Sequence, residues 1–361
     1  MRLLTIGLSL NHRPLKQSVL LVPLNSLQIT QRNWNNNTKM TPRYWPFKCT
    51  PTVYPVENFD PTADAASMCK AMKSSGVDEE AIIDVLTNRG IKQRMEIAEL
   101  YEQHHRSTLV NDLKSKLSGN LGDVVVALMT PLQDYYVREL HDAITGRKTD
   151  EKSIIELLCT VGNWGINTVV ESYQKQYGRS IEDDLKDDTS GQFKRLIVSI
   201  CQANRDESVG IDLAQAQLDA KDLYEAGEKQ WREEDSRFNE LIVTNSYQQL
   251  RQLFLEYEKI SGDDIEVSIE KAFSGSIKKG LLAFVKCTKS KVGFLTERLH
   301  AAMQGLGTKD RILIRIIVLR SEIDLGDIKE AFEKRYGKSL ESWISGDTSG
   351  DYRKALLSII N

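Results

Sequence analysis

One short pattern occurs four times in this 361-residue chain, and its spacing limits the fold more than any other feature. Ala302-Met303-Gln304-Gly305-Leu306-Gly307-Thr308-Lys309-Asp310 is its fullest copy. Ala143-Ile144-Thr145-Gly146-Arg147-Lys148-Thr149-Asp150-Glu151 and Ala71-Met72-Lys73-Ser74-Ser75-Gly76-Val77-Asp78-Glu79 repeat it with changes, and Gln230-Trp231-Arg232-Glu233-Glu234-Asp235 is the most divergent. The motifs start at 72, 144, 231 and 303, at intervals of 72, 87 and 72. The chain is therefore four units, with about 15 extra residues between the second and third. That excess falls at 204–219, a polar stretch that reads as a connector.

Within the units the apolar pattern is helical. Ile312, Leu313, Ile316 and Ile317 share one face, and Phe294, Leu295, Leu299, Ala302 and Met303 do the same in the preceding segment. Period-2 alternation is missing, and only Pro61 and Pro131 lie beyond residue 56. Each unit has room for about five short helices. The expected fold class is all-α.

The first 56 residues differ in kind. They hold six of the eight prolines and seven basic residues, with no Asp or Glu. An irregular basic tail over 1–57 is expected, and a targeting role for 1–39 is one reading of its composition. With 48 basic and 51 acidic residues in all, the rest of the chain carries 41 against 51, a net of −10. Such a body lacks the clustered cations that phosphate contacts need, so nucleic acid is not an expected partner. It also needs a bridging cation to meet an anionic membrane. Five scattered Cys argue for a reducing compartment and against a disulfide framework. No GxSxG, HExxH, GxGxxG or P-loop pattern occurs, and the five His form no catalytic cluster, so an enzyme is not expected.

Gly-x-Gly-Thr between an apolar helix end and an acidic helix start has two readings. It can be a helix C-cap followed by an N-cap. It can also be a loop whose carbonyls converge on a hard cation, since glycines let alternate carbonyls turn inward without side-chain clash. Calcium takes six to eight oxygens, and a carboxylate from a distant loop can complete its shell. Asp347-Thr348-Ser349-Gly350 and Asp188-Thr189-Ser190-Gly191 each lie 44 residues after their motif. A cap alone would need no distant acid; the pair favours the cation loop.

These marks resemble the annexin family: four units of about 70 residues, a longer middle link, the Met-x-Gly-x-Gly-Thr loop and the Gly-Asp-Thr-Ser-Gly turn. The resemblance covers 58–361 and looks nearest to arthropod members. It implies a curved disc of four repeats, at 58–129, 130–203, 220–288 and 289–361. It implies a protein that binds Ca2+ and, through it, acidic phospholipid, without catalysis. Such a protein would be cytoplasmic, and peripheral on membranes when calcium rises. Carried over residue by residue, Met303, Gly305 and Gly307 would give carbonyls and Asp347 the carboxylate of an intact fourth site. Ile144, Gly146, Lys148 and Asp188 would form a weakened second site, because Lys148 replaces a glycine. Lys116 in unit one and Ala272 in unit three stand where the acid belongs, so no site is expected there. Trp231 either enters the membrane interface, as Trp favours, or packs into its helix pair. Trp231, Arg232 and Gln304 are carried forward as membrane contacts. Glu139, Glu156 and Arg315 match positions lining a polar channel between the two halves, with a buried charge network as the expected role. Protein partners through the tail and self-association on membranes complete the expectations. The competing reading is a calcium-independent helical scaffold with the tail as its interaction element.

Overall fold

Caps written into the sequence set the helix boundaries. Asp78, Thr108, Asp150, Ser180, Ser246, Asp264, Ser290 and Ser339 each accept a backbone N–H from the first turn of the helix they precede. The protein, seen as a computed structural model, is described over residues 49–73, 76–105, 107–232 and 237–361. The described residues hold twenty helices and no strand, five helices to each repeat.

Repeat one contains α1 (Pro61–Lys73), α2 (Glu79–Thr87), α3 (Ile91–His104), α4 (Leu109–Lys116) and α5 (Gly119–Leu128). Repeat two contains α6 (Leu132–Thr145), α7 (Glu151–Cys159), α8 (Asn163–Tyr177), α9 (Ile181–Asp188) and α10 (Gly191–Cys201). Repeat three contains α11 (Leu213–Gln230), α12 (Arg237–Thr244), α13 (Tyr247–Ser261), α14 (Ile265–Ala272) and α15 (Gly275–Lys289). Repeat four contains α16 (Lys291–Met303), α17 (Asp310–Arg320), α18 (Leu325–Tyr336), α19 (Leu340–Asp347) and α20 (Gly350–Ile360). The polar segment read as a connector turns helical from Leu213. Asp212 is the cause, since its carboxylate accepts the Gln215 N–H at 2.9 Å and starts α11.

The repeats pack in pairs. α15 lies on α7 and α10 on α15, joining repeats two and three; α2 and α5 lie on α20, joining repeats one and four. At the first seam, a Cβ on Gly280 would sit 2.6 Å from the Phe193 ring, so only glycine lets these helices approach. Charge joins the halves. Arg315 spans from Glu156 (2.8 Å) to Glu139 (3.3 Å), and Arg298 reaches Glu156 at 2.7 Å. Ser153 accepts from both arginines, at 2.9 and 2.7 Å. All five of these side chains are buried. Burial disfavours the Glu156 charge, but Arg315 and Arg298 more than offset this and hold the carboxyl below its usual range.

The charge network expected of Glu139, Glu156 and Arg315 is therefore what the structure contains. Arg89 and Arg320 have local partners instead: Asp64 at 2.6 Å and Asp324 at 2.6 Å. Residues 49–57, the end of the tail, run without helix across repeats one and four. Thr52 and Val53 donate their N–H groups to the Ser321 carbonyl, Thr50 Oγ1 donates to Asp327, and Val56 exchanges two hydrogen bonds with the Gln93 side chain. The remainder of the tail, residues 1–48 with its suggested targeting segment, lies outside the described residues.

Candidate metal centre

The fourth helix of every repeat ends alike. The N–H groups of Leu117, Thr189, Phe273 and Thr348 return to the carbonyl four residues back, at 2.8–3.0 Å. A glycine two residues on, Gly119, Gly191, Gly275 or Gly350, then has φ between 60° and 63°. This common geometry identifies the residue just before each turn: Lys116, Asp188, Ala272 and Asp347. Two of the four carry a carboxylate.

In repeats one, two and four the loops between first and second helices share one closing bond. Asp78 N–H bonds the Ala71 carbonyl (3.0 Å), Asp150 N–H that of Ala143 (2.9 Å) and Lys309 N–H that of Ala302 (2.8 Å). Inside this frame the loops differ. In repeat four, Gly305 has φ 112° and Gly307 φ 79°, while a Cβ on either would meet nothing within 4 Å. These glycines are present for their conformation, not for space. In repeat two, Gly146 has φ −61° and ψ 169°, and Lys148 stays out of the left-handed region. The strain that a positive φ would impose on a lysine is thus absent at Lys148.

In repeats two and four a threonine couples the loop to its acid turn. Thr308 Oγ1 donates to Asp347 Oδ2 at 2.6 Å and lies 3.1 Å from its carbonyl. Thr149 Oγ1 reaches only the Asp188 carbonyl, at 3.1 Å, and the Asp188 carboxylate stays exposed. The structure therefore brings Asp347 to the loop of Met303, Gly305 and Gly307. Thr308 was visible as the end of the motif, but its part as the clasp between loop and acid was not. Leu306 was also missed. It stands fully exposed at the loop tip between the two glycines, at 107% relative exposure.

Trp231 is corrected. It is buried at 1% exposure, stacks on Phe238 at 4.7 Å and 2°, and donates Nε1–H to the Leu223 carbonyl at 3.0 Å. Its polar and apolar needs are both met inside the repeat, so it is a core residue and not a membrane contact. The local break falls four residues earlier, at Gly227 (φ 70°). Truncation by Trp231→Ala is expected to cost ~3–5 kcal/mol, read as a fall in the urea midpoint. Arg232 and Gln304 are exposed. Ser74, Ser75 and Glu233 lie outside the described residues.

Among the described residues no group of three or more His, Cys, Asp or Glu could hold a metal. A site here must draw on carbonyls, and the fourth-repeat loop is one that can. Its oxygen donors suit a hard cation such as calcium.

These observations define an all-helical protein of four repeats in which the first loop of repeat four is clasped to an acid turn. A family model described as Annexin matches residues 63–128, 135–200, 218–284 and 294–359. Human annexin A4 is 46% identical over 306 residues, covering 85% of this chain and 96% of annexin A4. Human annexin A7 is 44% identical over 309 residues, 86% of this chain. The chain spans about 63% of annexin A7's own length. Chicken annexin V superposes with a TM-score of 0.81 at 41% identity, covering 87% of this chain and 99% of that one. Calcium-bound annexin (Sm)1 superposes at 0.76 with 32% identity, covering 87% and 93%. The chain belongs to the annexin family, whose members are calcium-dependent phospholipid-binding proteins.

Proposed function

We propose that this protein attaches to acidic phospholipid membranes through calcium held chiefly at repeat four. The observation that carries this reading is the Thr308–Asp347 hydrogen bond at 2.6 Å. It fixes a carboxylate beside a loop whose two glycines already have positive φ. Carbonyls of Met303, Gly305 and Gly307 would hold the ion with Asp347, and Leu306 would meet the interface. Bound calcium supplies the positive charge that an acidic body lacks and leaves positions for lipid phosphoryl oxygens. Exposed Gln304 and Arg232 are the residues best placed to add polar contacts to headgroups.

Repeat two is proposed as a weak contributor. It keeps Asp188, but its loop has Gly146 with negative φ and an exposed lysine at 148. Repeats one and three, with Lys116 and Ala272 at the acid position, contribute nothing by this mechanism. Loss of sites matters because each additional attachment acts as an effectively intramolecular step. The protein acts without catalysis on this reading.

The test is co-sedimentation with phosphatidylserine vesicles across a calcium titration. Binding is expected only with calcium; binding in EDTA at the same level would favour the scaffold reading instead. A gain-of-function variant sharpens it. Lys148→Gly removes the cation and frees the backbone, and is expected to lower the calcium midpoint roughly threefold to tenfold through restored avidity.

A further inference from the structure

Repeat one holds a thiol against an imidazole. Cys69 Sγ of α1 lies 2.8 Å from Nε2 of His105, the residue that ends α3. Both side chains are half-buried, so solvent reaches the pair. The imidazole stacks on Tyr101 of α3, with ring centroids 4.3 Å apart and planes 23° apart. Tyr101 is buried and donates its hydroxyl to Asp112 Oδ2 of α4 at 2.6 Å. Three elements thus fix one ring beside one thiol. A nucleophile, a base within hydrogen-bond reach and a third group that orients the base form the arrangement that activates a side chain for covalent chemistry. None of these residues belongs to the calcium loop or acid turn of repeat four.

The surrounding charges show what the base is for. The titratable groups around the pair are Lys73 of α1, Tyr101 of α3, and Asp112 and Lys116 of α4. Burial raises the Cys69 thiol above its usual value; Lys73, one turn further along α1, opposes this, and Asp112 adds to it. The thiol therefore keeps its proton at neutral pH and needs a base at the moment of attack. His105 Nε2 can take that proton. The Tyr101 hydrogen bond holds the Asp112 carboxyl below its usual range, and the ionised carboxylate favours the imidazolium that forms as the proton moves. Lys73 favours the thiolate. The ion pair made by the transfer is supported at both ends. The other four cysteines have no imidazole contact among the described residues. Burial pushes Cys49 and Cys287 up to about 11 and Cys201 up to about 12, and Cys159 is buried.

We propose that Cys69 is a site of S-thiolation by a small anionic disulfide of the glutathione type. Cys69 Sγ attacks one sulfur of the disulfide. The new S–S bond forms as the old one breaks, and the departing thiolate receives the proton that His105 took from Cys69. Cys69 is oxidised and the leaving half of the disulfide is reduced, so the exchange balances without a further oxidant. The anionic class follows from exposed Lys73 and Lys116, whose charges both bear on the cluster. In a reducing compartment such a bond is transient, and its occupancy follows the local ratio of disulfide to thiol.

The experiment treats the full folded chain with oxidised glutathione and follows each cysteine by intact mass and peptide mapping. Cys69 is expected to react roughly tenfold or more faster than any other cysteine. His105→Gln is expected to slow that reaction roughly tenfold or more, with an unchanged circular dichroism spectrum. The wild-type rate is expected to rise through the range in which imidazoles lose their proton, and the His105→Gln rate only towards thiol ionisation. Uniformly slow modification of all five cysteines overturns the proposal, as does an undiminished rate in folded His105→Gln. The pH profile is read on the wild type, so a profile without the imidazole step overturns the role of the base even where the variant does not fold.

A neutral reagent, hydroxyethyl disulfide, tests the class of ligand. At low salt the wild type is expected to prefer oxidised glutathione by roughly threefold or more after correction for the reagents' rates with a free thiol. The double variant Lys73→Gln/Lys116→Gln is expected to lose that preference and keep the reaction with the neutral reagent. Equal corrected rates for the two reagents in the wild type overturn the anionic assignment.

Discussion

Asp347→Asn is expected to raise the calcium needed for half-maximal vesicle binding by roughly tenfold to a hundredfold, the loss of one charge-assisted contact. Asparagine keeps an oxygen that can accept from Thr308, so the 2.6 Å clasp between loop and turn survives. The variant therefore isolates charge from architecture, and its melting temperature is expected to match the wild type. Asp188→Asn is the control. Its carboxylate is exposed and unclasped by Thr149, so a shift within about twofold is expected. Equal effects of the two substitutions would refute the dominance of repeat four. Thr308→Val tests the clasp itself: the carboxylate is kept but loses its anchor, and a smaller rise in the calcium midpoint is expected.

The second large effect concerns stability. Glu156→Leu is expected to cost about 3–5 kcal/mol, because it removes the one carboxylate that the buried Arg298 and Arg315 share and leaves only the neutral Ser153 hydroxyl common to both. For a protein of this size that is a fall in Tm of roughly 5–15 °C by calorimetry. The same network gives a pH sign. The Glu156 carboxyl is lowered in the folded protein from its usual 4.5, so folding gains from its ionisation. That gain is complete above about pH 4.5 and is lost as pH falls through the lower folded value. A wild-type minus Glu156→Leu stability difference that is flat from pH 5 to 8, and shrinks only in acid, is the expected profile. A difference that grows in acid would refute it.

The fold was legible because four imperfect copies show a helical period that one copy would not. The acid positions were legible for the same reason: Asp188 and Asp347 each stand 44 residues from their motifs. Other features were not, and the reasons are physical. Trp231 was placed by its position in a loop motif, but indole serves equally at an interface and in a core. Phe238 and the Leu223 carbonyl decide the matter, and a linear reading cannot weigh them. The Gly146 conformation was hidden because glycine permits both signs of φ.

The repeats also contain correspondences that surface only when the folds are compared. His141 stacks on Tyr177 and His300 on Tyr336, both at 3.8 Å and both 36 residues apart. In repeat one the same interval joins Cys69 to His105 at 2.8 Å, so an aromatic stack has become a thiol–imidazole contact.

The pairing of repeats sets an order of events when the chain is made. Glu151 and Ser276, which join repeats two and three, are 125 residues apart. Thr87 and Ser358, which join repeats one and four, are 271 apart. The added loop entropy is small, on the order of 0.6 kcal/mol for a doubling of length. Time is the larger difference. At about 5–20 residues per second, the partner of Thr87 emerges roughly 15–50 s after Thr87 itself. Repeat one is thus the first repeat synthesised and the last to find its neighbour, and the apolar faces of α2 and α5 wait uncovered while the other half closes.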